Sequence, residues 1–171
     1  IESCPDGIFD FYQEQFDRYI DGKTNSNVFK AIEYITISPE PLHEEALQML
    51  LQIDKRECRT IMNLLSGFFP VRDHRIHVYH KSITDWLLDQ AYQGSERISN
   101  ESIYVIDVDK VQERICQRCF DLIDNNNILL TKDYLEHKQG LKYAIKYVIH
   151  HCLYLNKLSE ARQVLLRHDW I

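Results

Sequence analysis

Apolar residues recur along the first third of the chain at steps of three and four. Ile8, Phe9, Tyr12, Phe16, Tyr19 and Ile20 share one helical face, which opens near Pro5-Asp6-Gly7 and stops at Asp21-Gly22-Lys23. Val28, Ala31, Ile32 and Ile35 repeat the spacing and predict a second helix over 25–37. Ser38-Pro39-Glu40-Pro41 reads as a rigid turn. A third helix is expected over 43–53, inward on Ala46, Leu47, Leu50 and Leu51. Asp54 caps a fourth, with Glu57 three residues on as its box partner. Cys58, Ile61, Met62 and Leu65 form the inward face of that helix, and Gly67 closes it.

The period then changes. Val71, Ile76, Val78 and His80 alternate around the turn Arg72-Asp73-His74-Arg75, the pattern of a β-hairpin. A fifth helix follows at once, with Ile83, Trp86, Leu87 and Ala91 inward. His80 therefore sits at a strand-to-helix corner, with Ser82 and Asp85 behind it at Ser-x-x-Asp capping spacing. Three helices, a hairpin and a closing helix describe a winged helix-turn-helix with a small wing. The stretch 93–100 is polar and contains Gly94, which suggests a boundary. Asp107 then caps a helix on Val108, Val111, Ile115, Cys119 and Leu122, stopped by Asp124-Asn125-Asn126-Asn127. Leu141, Ala144, Ile145, Val148, Cys152 and Leu155 mark another long helix. A turn at Asn156-Lys157 leads to a last one carrying Ala161, Val164 and Leu165 inward. The last two helices form an antiparallel pair of the kind that builds α-solenoids. The expected fold is mainly α. A leading helix spans 1–22, a winged-helix domain 23–93, and an α-helical, solenoid-like domain 94–171.

Composition narrows the function classes. At 171 residues the chain suits one domain or two small ones. The net charge of −6 argues against broad binding to nucleic-acid phosphates. No apolar run approaches a membrane span. Five cysteines without framework spacing fit a reducing, cytoplasmic setting. The start at Ile1, with neither an initiator Met nor a signal-like segment, reads as a piece of a longer protein.

Candidate chemistry is sparse. His80 is either a wing-terminal histidine with a backbone hydrogen bond or a group that reaches a neighbouring domain. Lys55, Arg56 and Arg59 on the fourth helix, with Arg72, His74 and Arg75 on the wing, form a basic cluster interrupted by Asp54 and Glu57. Cys116 and Cys119, with His150, His151 and Cys152, invite a zinc reading, yet Cys119 and Cys152 also fall on apolar stripes. Tyr143, Tyr147 and Tyr154 read as helix packing. No base–nucleophile–orienter set stands out, so no catalytic residue and no metal ligand is assigned. No phosphate-binding loop is present either.

The order of these parts resembles the region that follows the nucleotide-binding core in signal-transduction ATPases with numerous domains. These STAND proteins include the NACHT and NB-ARC classes. Tyr79-His80-Lys81-Ser82 and Asp85-Trp86-Leu87 match the motif that ends their winged helix. The form is most similar to NACHT proteins carrying WD40 or ankyrin repeats. Pro5-Asp6-Gly7-Ile8, Glu40-Pro41-Leu42, Gly67-Phe68-Phe69-Pro70-Val71, Leu158-Ser159-Glu160-Ala161-Arg162 and Asp169-Trp170-Ile171 resemble further landmarks in order. The resemblance implies that His80 contacts the β-phosphate of ADP held by an upstream domain, ADP/ATP not being bound by this chain alone. An imidazole N–H can donate to phosphate oxygen. Tyr79 and Lys81 stand where the commoner Met-His-Asp form has Met and Asp. Lys81 is thus expected to meet phosphate or an acidic neighbour. The implied role is a latch on the closed state that couples a C-terminal repeat sensor to oligomerisation, in innate immunity or cell death. The alternative is a winged-helix DNA-binding protein with a helical dimerisation domain. Binding of random duplex at low salt separates the two.

Overall fold

The computed structural model describes residues 6–19, 26–88, 104–125 and 138–167. It is mainly helical, with one small antiparallel sheet. Helix α1 (Asp6–Tyr19) precedes α2 (Ser26–Ile37). Strand β1 (Leu42–His43), α3 (Glu44–Leu51), α4 (Lys55–Leu65), β2 (Val71–Arg72), β3 (Arg75–Ile76) and α5 (Lys81–Leu87) come next. Then follow α6 (Val108–Asn125), α7 (Gln139–Tyr154) and α8 (Leu158–Arg167). Both expected domain boundaries, at 22/23 and 93/94, lie outside the described residues, as do Ile20, Ala91, Asp169, Trp170 and Ile171.

The hairpin predicted from alternation is present but short. Val71 pairs with Ile76 and Arg72 with Arg75. Asp73 and His74 both take positive φ, 50° and 60°, which turns the chain in two residues. A third strand was not foreseen. Leu42 and His43 pair with Ile76 and Arg75, so the expected helix over 43–53 begins at Glu44. His43 serves as its N-cap, its Nδ1 accepting from the Glu45 N–H at 3.1 Å. The sheet order is β1-β3-β2. Asp54 caps α4 as expected, accepting from the Glu57 N–H at 2.8 Å. The Glu57 carboxylate accepts from Asn27 and so ties α4 to α2.

One buried cluster runs through all the described segments. Phe16 on α1 is fully enclosed, against Phe68 at 4.7 Å, Trp86 at 4.8 Å and Tyr104 at 5.3 Å between ring centroids. The α6–α7 pair is the most extensive helix contact. Val111, Ile115, Cys119, Leu122, Leu141, Ala144, Val148 and Cys152 are buried, as their spacing required. The last helix departs from expectation. Ala161 and Val164 are buried, but Leu165 is 52% exposed, because the inward stripe steps from 161 to 164 and leaves 165 on the flank. No helix among the described residues is long and apolar enough to cross a membrane.

Candidate functional site

The strand-to-helix corner is built around an imidazole. His80, with extended backbone, is the N-cap of α5. Its Nδ1 accepts from the Ser82 N–H at 3.2 Å and lies 2.7 Å from Ser82 Oγ. Ser82 is buried, and its Oγ is 2.6 Å from the Tyr12 hydroxyl on α1. The donors can be ordered. With Nδ1 accepting, the Ser82 hydroxyl gives its proton to the ring and the Tyr12 hydroxyl donates to Ser82. The proton of the neutral ring is then on Nε2. That N–H belongs to an exposed side chain and has no partner among the described residues.

The Ser-x-x-Asp capping assignment is therefore corrected. The cap is two residues earlier, at His80, and Ser82 lies inside the first turn. Asp85 instead binds Lys81, whose ammonium sits 2.8 Å from the carboxylate on an exposed face. Of the two expectations for Lys81, the acidic neighbour is present, four residues along the same helix. Tyr79, 70% exposed, stands beside the corner.

The basic cluster is divided. Arg75 pairs with Glu40 and donates to the Pro41 carbonyl, and His74 meets Glu44 at 3.2 Å. Lys55, Arg56, Arg59 and Arg72 are exposed and make no ion pair among the described residues.

Comparison with known proteins adds no assignment. No family model, curated protein or solved structure matches this chain.

The cysteine–histidine group proves to be two separate arrangements. His151 is fully buried, its Nδ1 2.6 Å from Gln112 Oε1 and its Nε2 3.2 Å from the Tyr143 hydroxyl. Ser38 donates to that hydroxyl at 3.2 Å. Burial, then the neighbouring His150, lowers the His151 pKa to about 4, so the ring is neutral at pH 7. Cys116 and Cys152 face each other with Sγ atoms 3.5 Å apart. Among the described residues no three His, Cys, Asp or Glu side chains are grouped to hold a metal ion. The Tyr143 and Tyr147 rings pack at 5.0 Å, as read from sequence, whereas Tyr154 donates to Asp109.

Reading the sequence alone missed Tyr12–Ser82–His80 and Gln112–His151. A signal existed for each. Ser82 is four residues before Trp86 and shares its inward phase, while His151 lies seven after the inward Ala144. A polar residue in an apolar phase demands a buried partner.

Proposed function

We propose that this chain is a non-catalytic regulatory module of a STAND/NACHT-type NTPase, with its winged helix latching onto a nucleotide-bound core. The observation that carries this reading is the Nε2–H of His80, held in one tautomer at an exposed corner and without a partner among the described residues. A preset N–H donor suits a phosphate oxygen, because its ring need not be reoriented on docking. The order of elements supports the same reading. A helix, a strand, two helices and a hairpin whose second strand pairs with the first strand is the succession a winged helix requires. Lys81 serves Asp85, so the phosphate contact falls to His80. The α6–α8 segment then acts as a solenoid-like connector to a C-terminal WD40 or ankyrin sensor. Ligand binding at that sensor would release the latch by differential affinity and permit oligomerisation, in a cytoplasmic protein.

His80→Ala and His80→Gln in the full-length parent, loaded with ADP, test the latch. Loss of a charge-assisted hydrogen bond predicts ADP release faster by on the order of tenfold in His80→Ala. Release from His80→Gln, which keeps an N–H donor, is expected in between. Unchanged ADP retention together with unchanged basal activity in His80→Ala would sink the latch.

The rival, a duplex-binding winged helix with a helical dimerisation domain, draws on Lys55, Arg56, Arg59 and Arg72. It is the weaker reading, since carboxylates already engage His74 and Arg75 and the chain carries a net charge of −6.

A further inference from the structure

The packing of α6 against α7 brings together two thiols from distant parts of the sequence. Cys116 and Cys152 are both free and buried, with Sγ atoms 3.5 Å apart. A disulfide needs about 2.05 Å between sulfurs, so closing the bond requires an approach of about 1.5 Å. Cys119, one turn along α6, is also buried and lies near both thiols. Cys116 also lines a cleft of about 260 Å³ between α6 and α8, with Phe120, Ile123 and Val164 beside it and Lys157 and Glu160 also in its wall. Cys152 is not part of that lining. Of the two thiols, Cys116, 1% exposed, is the one that borders the cleft.

We propose that Cys116 and Cys152 form a reversible oxidation site, closing to a disulfide on exposure to a peroxide. The Cys116 thiolate attacks one peroxide oxygen and the O–O bond breaks. Cys116 becomes a sulfenic acid, and the departing oxygen takes up a proton and leaves as water or alcohol. The Cys152 sulfur then attacks the Cys116 sulfur. The S–S bond forms, the S–O bond breaks, and the hydroxyl leaves with a proton as water. The two sulfurs give up two electrons, which the peroxide accepts, and a dithiol reductant reverses the change. Burial, then the hydrogen bond with Cys152, pushes the Cys116 thiol up to about 12. Thiolate is therefore scarce, so reaction with peroxide is slow. The bond would tie α6 to α7 across residues 117–151. This inference is independent of the latch at His80.

The test treats the purified chain with hydrogen peroxide, blocks remaining thiols under denaturing conditions and maps tryptic peptides. Cleavage after Arg118 separates Cys116 from Cys119, and Cys152 falls in the peptide 147–157. The expected product is one linked pair, Cys116 with Cys152, lighter by two hydrogens and restored by dithiothreitol. Its melting midpoint should rise by about 5–10 °C, a rise kept in Cys119→Ser and absent in Cys116→Ser. Linkage through Cys4, Cys58 or Cys119, linkage only between molecules, or thiols that all remain free would overturn the proposal. The peptide map of the unaltered chain decides even if Cys116→Ser does not fold.

Discussion

At His151 both ring nitrogens are occupied and no solvent reaches the side chain, so its proton balance is a stability question. Its folded pKa, about 4, lies below the ordinary histidine value of 6.5. The unfolded chain therefore binds more protons between those limits, and stability rises with pH there. The contribution is complete above about pH 6.5 and is lost as pH falls toward 4, to a total of up to about 3 kcal/mol. Denaturant titrations at pH 7, 5.5 and 4.5 should show that slope, and His151→Gln should flatten it. An equal slope in the variant would remove His151 as its source. Little of this was legible in sequence. Adjacent histidines near Cys152 invited a zinc reading that was not adopted, and spacing alone does not say which ring turns inward. His150 is exposed and His151 buried, since only the second keeps the phase of Ala144 and Val148. The His80 corner was legible as a position but not as a bonding pattern. Its partner on α1 is 70 positions from Ser82, beyond the reach of any local motif.

Among the elements, α3 and α7 approach closely enough that one hydrogen atom matters. Gly140, in the first turn of α7, is buried against Met49. A Cβ placed there would stand 2.8 Å from Met49 Cβ and 2.9 Å from its Cγ, and closer still to its Sδ. The Met49 Cβ cannot swing aside as a side-chain tip could. Gly140→Ala should therefore destabilise the fold by about 1–3 kcal/mol despite alanine's better helix propensity, read as a lowered denaturant midpoint. A neutral or stabilising result would mean that the two helices can part without cost. Helices of ten or more residues were legible because several inward positions recur within each. The two-residue β1 was not: it has one inward residue, Leu42, and its partners are more than 30 positions away. The hairpin was readable from alternation, although Asp73 and His74 make its left-handed turn without the glycine such turns favour. Gly67 does follow α4, but in no left-handed conformation.

Across the whole molecule, residues before 89 and residues after 103 share one buried cluster. Tyr104 packs its ring against Phe16 and Trp86 and donates to Asp17, and the Ile106 N–H bonds the Leu87 carbonyl at 2.8 Å. Further along, Arg114 pairs with Glu33 at 2.8 Å, and Arg118 donates to the Met49 and Leu50 carbonyls at the end of α3. Contacts of this density predict one unfolding step. Far-ultraviolet dichroism and Trp86 fluorescence, recorded in a Trp170→Phe background, should give superimposable transitions, and separated midpoints would mean that the halves fold apart. Composition could mark 93–100 as a polar stretch, whereas a contact such as Tyr104 on Phe16 joins residues too far apart in sequence for a local pattern to show. That continuity gives the Tyr12–Ser82–His80 chain a wider reach. The Tyr12 hydroxyl meets Ser82 only while α1 lies in its groove, and a displacement of about 1 Å would exceed hydrogen-bond range. Ser82 would then lose its outer donor, while His80 Nδ1 would keep the Ser82 N–H and with it the outward N–H. A force that lifts the first helix would thus strip Ser82 of the Tyr12 hydroxyl while the imidazole cap on α5 stays in place.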